Sequence, residues 1–161
     1  ATVTVGGGGA SSIEFTSIPG TYQHLQVRMM SKLVGSASGV FNMKINDVST
    51  ASYSAHRIVG TGSAVVADGV ANLTSIFIAA AAGSSATNVV GAHLIDILDY
   101  ASTSKNTVVR TFNGLDTNGG GELLLRSGAL YSTVAVNKLS FFRAGDSFAE
   151  HSTAALYGIK A

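Results

Sequence analysis

IPGTYQHLQVRMMSK (Ile18–Lys32) and GDSFAEHSTAALYGI (Gly145–Ile159) decide how this chain folds. Each joins a turn to an alternating strand, and the two nearly bracket the sequence. In the first, Leu25, Val27 and Met29 share one face while Gln26 and Arg28 share the other. In the second, Ala154, Leu156 and Gly158 alternate with Ala155, Tyr157 and Ile159. Period-two alternation belongs to a strand with one buried face. The first and last strands of a sandwich or barrel often lie side by side, so a pattern fixed at both ends predicts one closed β unit.

Between these ends the same alternation recurs. Ile13 and Phe15 share a face, as do Phe41, Met43 and Ile45. Further apolar runs lie at Ile76–Ala80, Leu94–Leu98, Thr107–Phe112, Leu123–Leu125 and Lys138–Phe142, separated by GSASG, TGSA, AGSSAT, NGLDTNGGG and RAGDS. Strand-length runs at intervals of roughly 10–20 residues, with such turns between them, predict an antiparallel sandwich or barrel, of which a jelly-roll-like sandwich is the expected form. The expected inner face holds Phe15, Leu25, Val27, Met29, Phe41, Met43, Ile45 and Phe141. Two segments read ambiguously. Val65–Ala82 is alanine-rich enough for a short helix, and Thr50–His56 for a single helical turn before a strand at Arg57–Val59.

The sequence has 161 residues, with 19 Gly, one Pro and no Cys. Its length predicts one domain able to bury a core without disulfides. Residues 1–10 read as a flexible arm and residues 11–161 as the sandwich. In the arm, ATVTV precedes four glycines, Gly6–Gly9, whose backbone entropy opposes a packed element. Val3 and Val5 are therefore candidate partner-binding residues, on an arm that adds a strand to a neighbouring chain.

Only 12% of residues are charged, against about 25% in a typical domain. A chain with so few charges is best accommodated when partners cover much of its surface, which predicts an oligomer or assembly subunit. The net charge is +1 and no basic stripe is present, so nucleic acid is not an expected partner. No apolar run reaches the ~18 residues of a membrane helix, and no basic-then-apolar leader opens the chain.

Catalytic patterns are weak. His24, His56, His93 and His151 show no metal spacing. Serines abound, but no G-x-S-x-G elbow occurs. Asp96 and Asp99 are near in sequence, yet a spacing of three puts them on opposite faces of a strand, and Asp99 fits the following turn. GLDTNGGGE lacks the full ligand array of a calcium loop and the Lys-Ser/Thr of a phosphate loop, and reads as a hairpin tip. The expectation is no catalytic site, no cofactor and no metal. Sugar-binding platforms often use Trp, which is absent here, while Tyr53, Tyr100 and Tyr131 lie near turns.

Three groups of residues carry a family resemblance: Tyr22, Leu25 and Val27; then Ile45, Asn46, Tyr53 and Ser54; then Ser152, Thr153, Leu156, Tyr157, Gly158 and Ile159. In this arrangement, from about Ser12 to Ile159, the chain resembles a family of small, cyanophage-like virion structural proteins. The resemblance implies a jelly-roll fold and a virion location. Its most concrete form is a capsid decoration or cement subunit that binds the major capsid protein as a homotrimer. A receptor-binding tail tip or fibre head holding host glycan is the alternative. Tyr53 falls on the family pattern. A structural hydrogen bond from its hydroxyl is the favoured reading, and a place in a partner contact is the other.

Overall fold

The two alternating stretches become neighbouring strands. The structure, a computed structural model, describes residues 1–160. Twelve strands follow in order: β1 (Thr2–Thr4), β2 (Ser12–Phe15), β3 (His24–Ser31), β4 (Gly39–Ile45), β5 (Tyr53–Gly60) and β6 (Val65–Leu73), then β7 (Ile76–Ala81), β8 (Gly91–Leu98), β9 (Thr107–Asp116), β10 (Gly121–Leu130), β11 (Leu139–Phe142) and β12 (Thr153–Ile159). No helix occurs among the described residues. β3 pairs antiparallel with β12, placing Val27 opposite Leu156.

The strands form an all-β, antiparallel, jelly-roll-like sandwich. The larger sheet runs β1-β12-β3-β8-β9-β10-β5-β6 and the smaller β2-β11-β4-β7. Their facing sides form the core, where Val27, Phe41, Met43, Ile45 and Phe141 have no exposed surface. All eight residues expected on the inner face are buried. Phe41 contacts Phe141 and Phe148 edge-on, with centroids 6.4 and 5.7 Å away.

Neither ambiguous segment is helical. Val65–Ala82 forms β6 and β7 instead of a short helix; their β-branched residues suit a ladder, and Asn72, with a left-handed φ of 58°, sits within β6 where the register to β5 shifts. Thr50–His56 holds no helical turn, because Tyr53 already pairs with Leu130 as the first residue of β5. The GLDTNGGGE segment closes the β9–β10 hairpin, with Asp116 Oδ1 accepting from Asn118 N–H at 2.7 Å. Gly121 is required there: its φ is 123°, and a Cβ would sit 2.0 Å from the Leu115 carbonyl oxygen.

The expected arm differs most. Thr2–Thr4 is not held free for a neighbour but pairs with β12 of its own chain, Val3 opposite Ala154. Val5 is buried, and its N–H donates to the Ser152 carbonyl at 2.9 Å. The physical reason is the outer edge of β12, a row of open donors and acceptors that β1 satisfies. The glycines turn rather than dangle, with Gly9 N–H reaching the Gly6 carbonyl.

Candidate functional site

The sequence-derived partner residues do not form a surface. Tyr53 is fully buried; its hydroxyl accepts from Ile45 N–H and donates to the Val48 carbonyl, both at 3.1 Å. That geometry matches the structural reading and removes Tyr53 from any partner contact, because no outside atom reaches it. Val5 is withdrawn for the same reason, and Val3 is partly buried against the core. Two more of the resemblance residues, Asn46 and Tyr22, have structural contacts as well. Asn46 Oδ1 accepts from the N–H groups of Asn137 and Lys138 at 2.9 and 3.1 Å, and its Nδ2 donates to the Ala135 carbonyl. Tyr22 covers Gly158 so closely that a Cβ there would lie 2.3 Å from its ring.

The surface that stands out is the outer face of the larger sheet. Antiparallel register lines its side chains into rows that cross the strands. One row is Leu94–Phe112–Leu125–Ile58, running from β8 through β9 and β10 to β5. Phe112, Leu125 and Ile58 are 49%, 52% and 47% exposed. Beside it runs a polar row, Gln26–Asp96–Arg110–Ser127–His56. Within that row Asp96 accepts from Gln26 Nε2 at 2.9 Å and from Arg110 Nε at 3.0 Å. On the other side lies Met30–Ala92–Gly114–Leu123, where the small pair leaves a trough between two long side chains. The apolar row is thus a ridge between two open grooves of about 610 and 580 Å³.

This face is faintly visible in the sequence. Leu123-Leu124-Leu125 cannot all point inward in a strand; Leu124 is buried and its neighbours are exposed. Attention to the buried phase hides what stands on the opposite one.

The structure also assembles a hydrogen-bonded trio that sequence spacing does not announce. Ser31 Oγ lies 2.8 Å from His93 Nε2, and His93 Nδ1 lies 3.2 Å from Asn113 Oδ1. Asn113 Nδ2 donates to Thr111 Oγ1 at 2.7 Å. The consistent assignment has Ser31 donating to a neutral imidazole, which donates to Asn113. Burial pushes the His93 pKa down to about 4, with the Asn113 bond opposing the shift. The order is that of nucleophile, base and orienting amide, but Ser31 has no exposed surface and Phe41 covers the ring edge-on at 4.9 Å. As placed, the trio satisfies buried polar groups between the sheets.

The remaining histidines are scattered. His24 lies 3.6 Å from Asp99 in the turn after β8, His56 is on the outer face, and His151 is exposed beside Glu150. Among the described residues no three His, Asp or Glu side chains gather as a metal site.

No protein-family model matches the chain, and no curated protein does. Among solved structures, the Caenorhabditis elegans galectin LEC-6 is similar at 9% identity and a TM-score of 0.41, covering 97% of this chain and 95% of its own. A heptameric SAP-like pentraxin from Limulus polyphemus is similar at 8% identity and a TM-score of 0.25, over 99% and 94%. An engineered GH43 glycoside hydrolase is similar at 10% identity and a TM-score of 0.27; the match covers 98% of this chain but 36% of the hydrolase. Likenesses this distant carry no argument about function.

Proposed function

We propose that this chain is a phage virion structural protein, a capsid decoration subunit that binds the outer shell as a homotrimer and catalyses nothing. The observation that supports it is the outer face of the larger sheet. A contiguous half-exposed ridge of Leu94, Phe112, Leu125 and Ile58, bordered by a row containing Asp96 and Arg110, has the anatomy of a protein interface. The low charge and the virion-protein resemblance point the same way, and the resemblance supplies the number three. In this reading the ridge seats against the major capsid protein. Binding only the assembled shell shifts its equilibrium toward the intact particle, and many modest contacts add up.

Particles stripped of the protein should break at a lower temperature than decorated ones, and adding it back should restore them. Equal robustness with and without it would refute the decoration role, and a monomer by light scattering at micromolar concentration would refute the trimer.

One observation favours the second reading, a receptor-binding tip that holds host glycan. The half-exposed Phe112 lines one groove together with Asp96, Arg110, Ser127 and His56, a pairing of aromatic surface with polar groups that suits a sugar. Copy number separates the two: a decoration subunit is present in hundreds of copies per particle, a tip in few.

A further inference from the structure

On the inner side of the larger sheet, Arg126 of β10 stands directly opposite Arg57 of β5. The two guanidinium groups are treated unequally. Arg57 is clamped by Asp68 of β6, Nε donating to both carboxylate oxygens at 3.0 Å and Nη2 to Oδ2 at 2.8 Å. That clamp commits the nearest carboxylate. Arg126 is 6% exposed, its Nε is buried with no hydrogen-bond partner, and no carboxylate of the described residues is within ion-pair distance of it. Burial disfavours its charge and the neighbouring Arg57 repels it; Asp68 and Glu122 offset this only in part. A buried donor left without a partner costs stability.

Arg126 lines a cleft. β6 lies at one edge of the larger sheet and β7 at one edge of the smaller. Between them is a space of about 380 Å³ walled by Val40, Val70 and Phe77, with Gly69 and the Arg57–Asp68 pair on its rim. One under-used guanidinium thus meets a partly open, mostly apolar cleft.

We propose that this cleft is a binding site for a carboxylate carried on an apolar body, with Arg126 receiving the carboxylate and Val40, Val70 and Phe77 packing the body. A guanidinium fork matches a carboxylate in a bidentate arrangement. The apolar walls and the Asp68 charge disfavour a dianion such as phosphate. The carboxylate belongs either to a free small acid or to an acidic residue of a bound peptide, since both present the same head group. The site is separate from the outer face and does not depend on the decoration reading.

The test is an NMR titration of the full ¹⁵N-labelled chain with 3-phenylpropionate, 3-phenylpropanol and inorganic phosphate, each taken into the millimolar range. The acid should give saturable shifts at the Arg126 Nε–H and at the amides of Gly69, Val70 and Phe77. The alcohol, with the same body and no charge, should bind about tenfold more weakly or worse, and phosphate should give no saturable shift. A peptide bearing one glutamate, run in parallel, separates the sources: tighter binding than phenylpropionate assigns the site to a protein partner, weaker binding to a free acid. Arg126→Met should abolish the acid's shifts while melting no lower than the parent, because it removes an unpaired charge. Val70→Glu, at a half-exposed position, should also abolish them by placing a carboxylate in the cleft. No saturable shift, equal shifts from acid and alcohol, or binding retained in either variant would overturn the proposal.

Discussion

Phe112 of β9 stands directly opposite Leu125 of β10, and both point away from the core. A cross-strand pair of this kind contributes only ~0.2–1 kcal/mol to the sheet, so its removal should scarcely affect folding. Phe112→Asp should therefore melt within a few degrees of the parent yet lose most of its binding to stripped particles. Thermal unfolding and co-sedimentation measure the two effects. Undiminished co-sedimentation would take the ridge out of the interface.

Phase along a strand separates large effects from small ones. Val27 has no exposed surface and faces Leu156 and Ile95 across its two ladders. Val27→Asp buries a charge with no partner and should destabilise by roughly 3–5 kcal/mol. Val108→Asp introduces the same charge at a strand position that is 45% exposed, and should stay within about 1 kcal/mol of the parent. Urea denaturation of both variants settles the contrast; comparable losses would mean that the outer phase is not solvent-facing.

The core face is legible in the sequence because burial repeats every second residue: Leu25, Val27 and Met29 announce it without help from the rest of the chain. The strands hidden in Val65–Ala82 are less legible. β6 is exposed along nearly its whole length, so its sequence carries no alternation, and only the ladder to β5 makes it a strand. The candidate sites are harder still. The ridge exists because three consecutive strands, β8, β9 and β10, and the sequence-distant β5 share one register, and Arg126 lies opposite Arg57 through the same long-range pairing of β10 with β5. Several of the resemblance residues turn out to be structural, while Tyr157 and Ile159 of the closing motif are exposed. Asn46 closes a turn and Tyr22 covers Gly158, so they speak to the fold more than to what its surface touches.

The N-terminal segment should prove part of the fold. Val5 is 3% exposed and β1 covers the edge of β12. Full burial of a valine contributes about 1.5–3 kcal/mol, so deleting residues 1–9 should lower stability by roughly that amount or more. Deletion also bares a strand edge, which invites pairing between chains. The expected result is a lower melting temperature together with concentration-dependent association in light scattering. An unchanged melting temperature would mean that β1 contributes nothing to this sheet and is free for a neighbour.

His93 should give the chain an acid-side stability slope of defined width. Its pKa falls to about 4 chiefly because burial disfavours the imidazolium, while an unfolded histidine titrates near 6.5. Above pH ~6.5 the group is neutral in both states and contributes no slope. Between about 6.5 and 4 the unfolded chain takes up a proton that the folded chain refuses, so stability falls as pH falls. Below about 4 both states are protonated and the contribution levels off. The whole step is on the order of 3 kcal/mol. Protonation would also remove the lone pair that accepts from Ser31, breaking the one bond that ties β3 to the trio. His93→Gln keeps a hydrogen-bonding side chain but cannot titrate, so it should be less stable than the parent at pH 7.5 and lose less of its stability on going to pH 4.5. Urea unfolding of both proteins across this window makes the comparison, with carboxylate titrations common to the two cancelling in the difference. If the difference between them stayed constant with pH, His93 would not be the group that sets the slope.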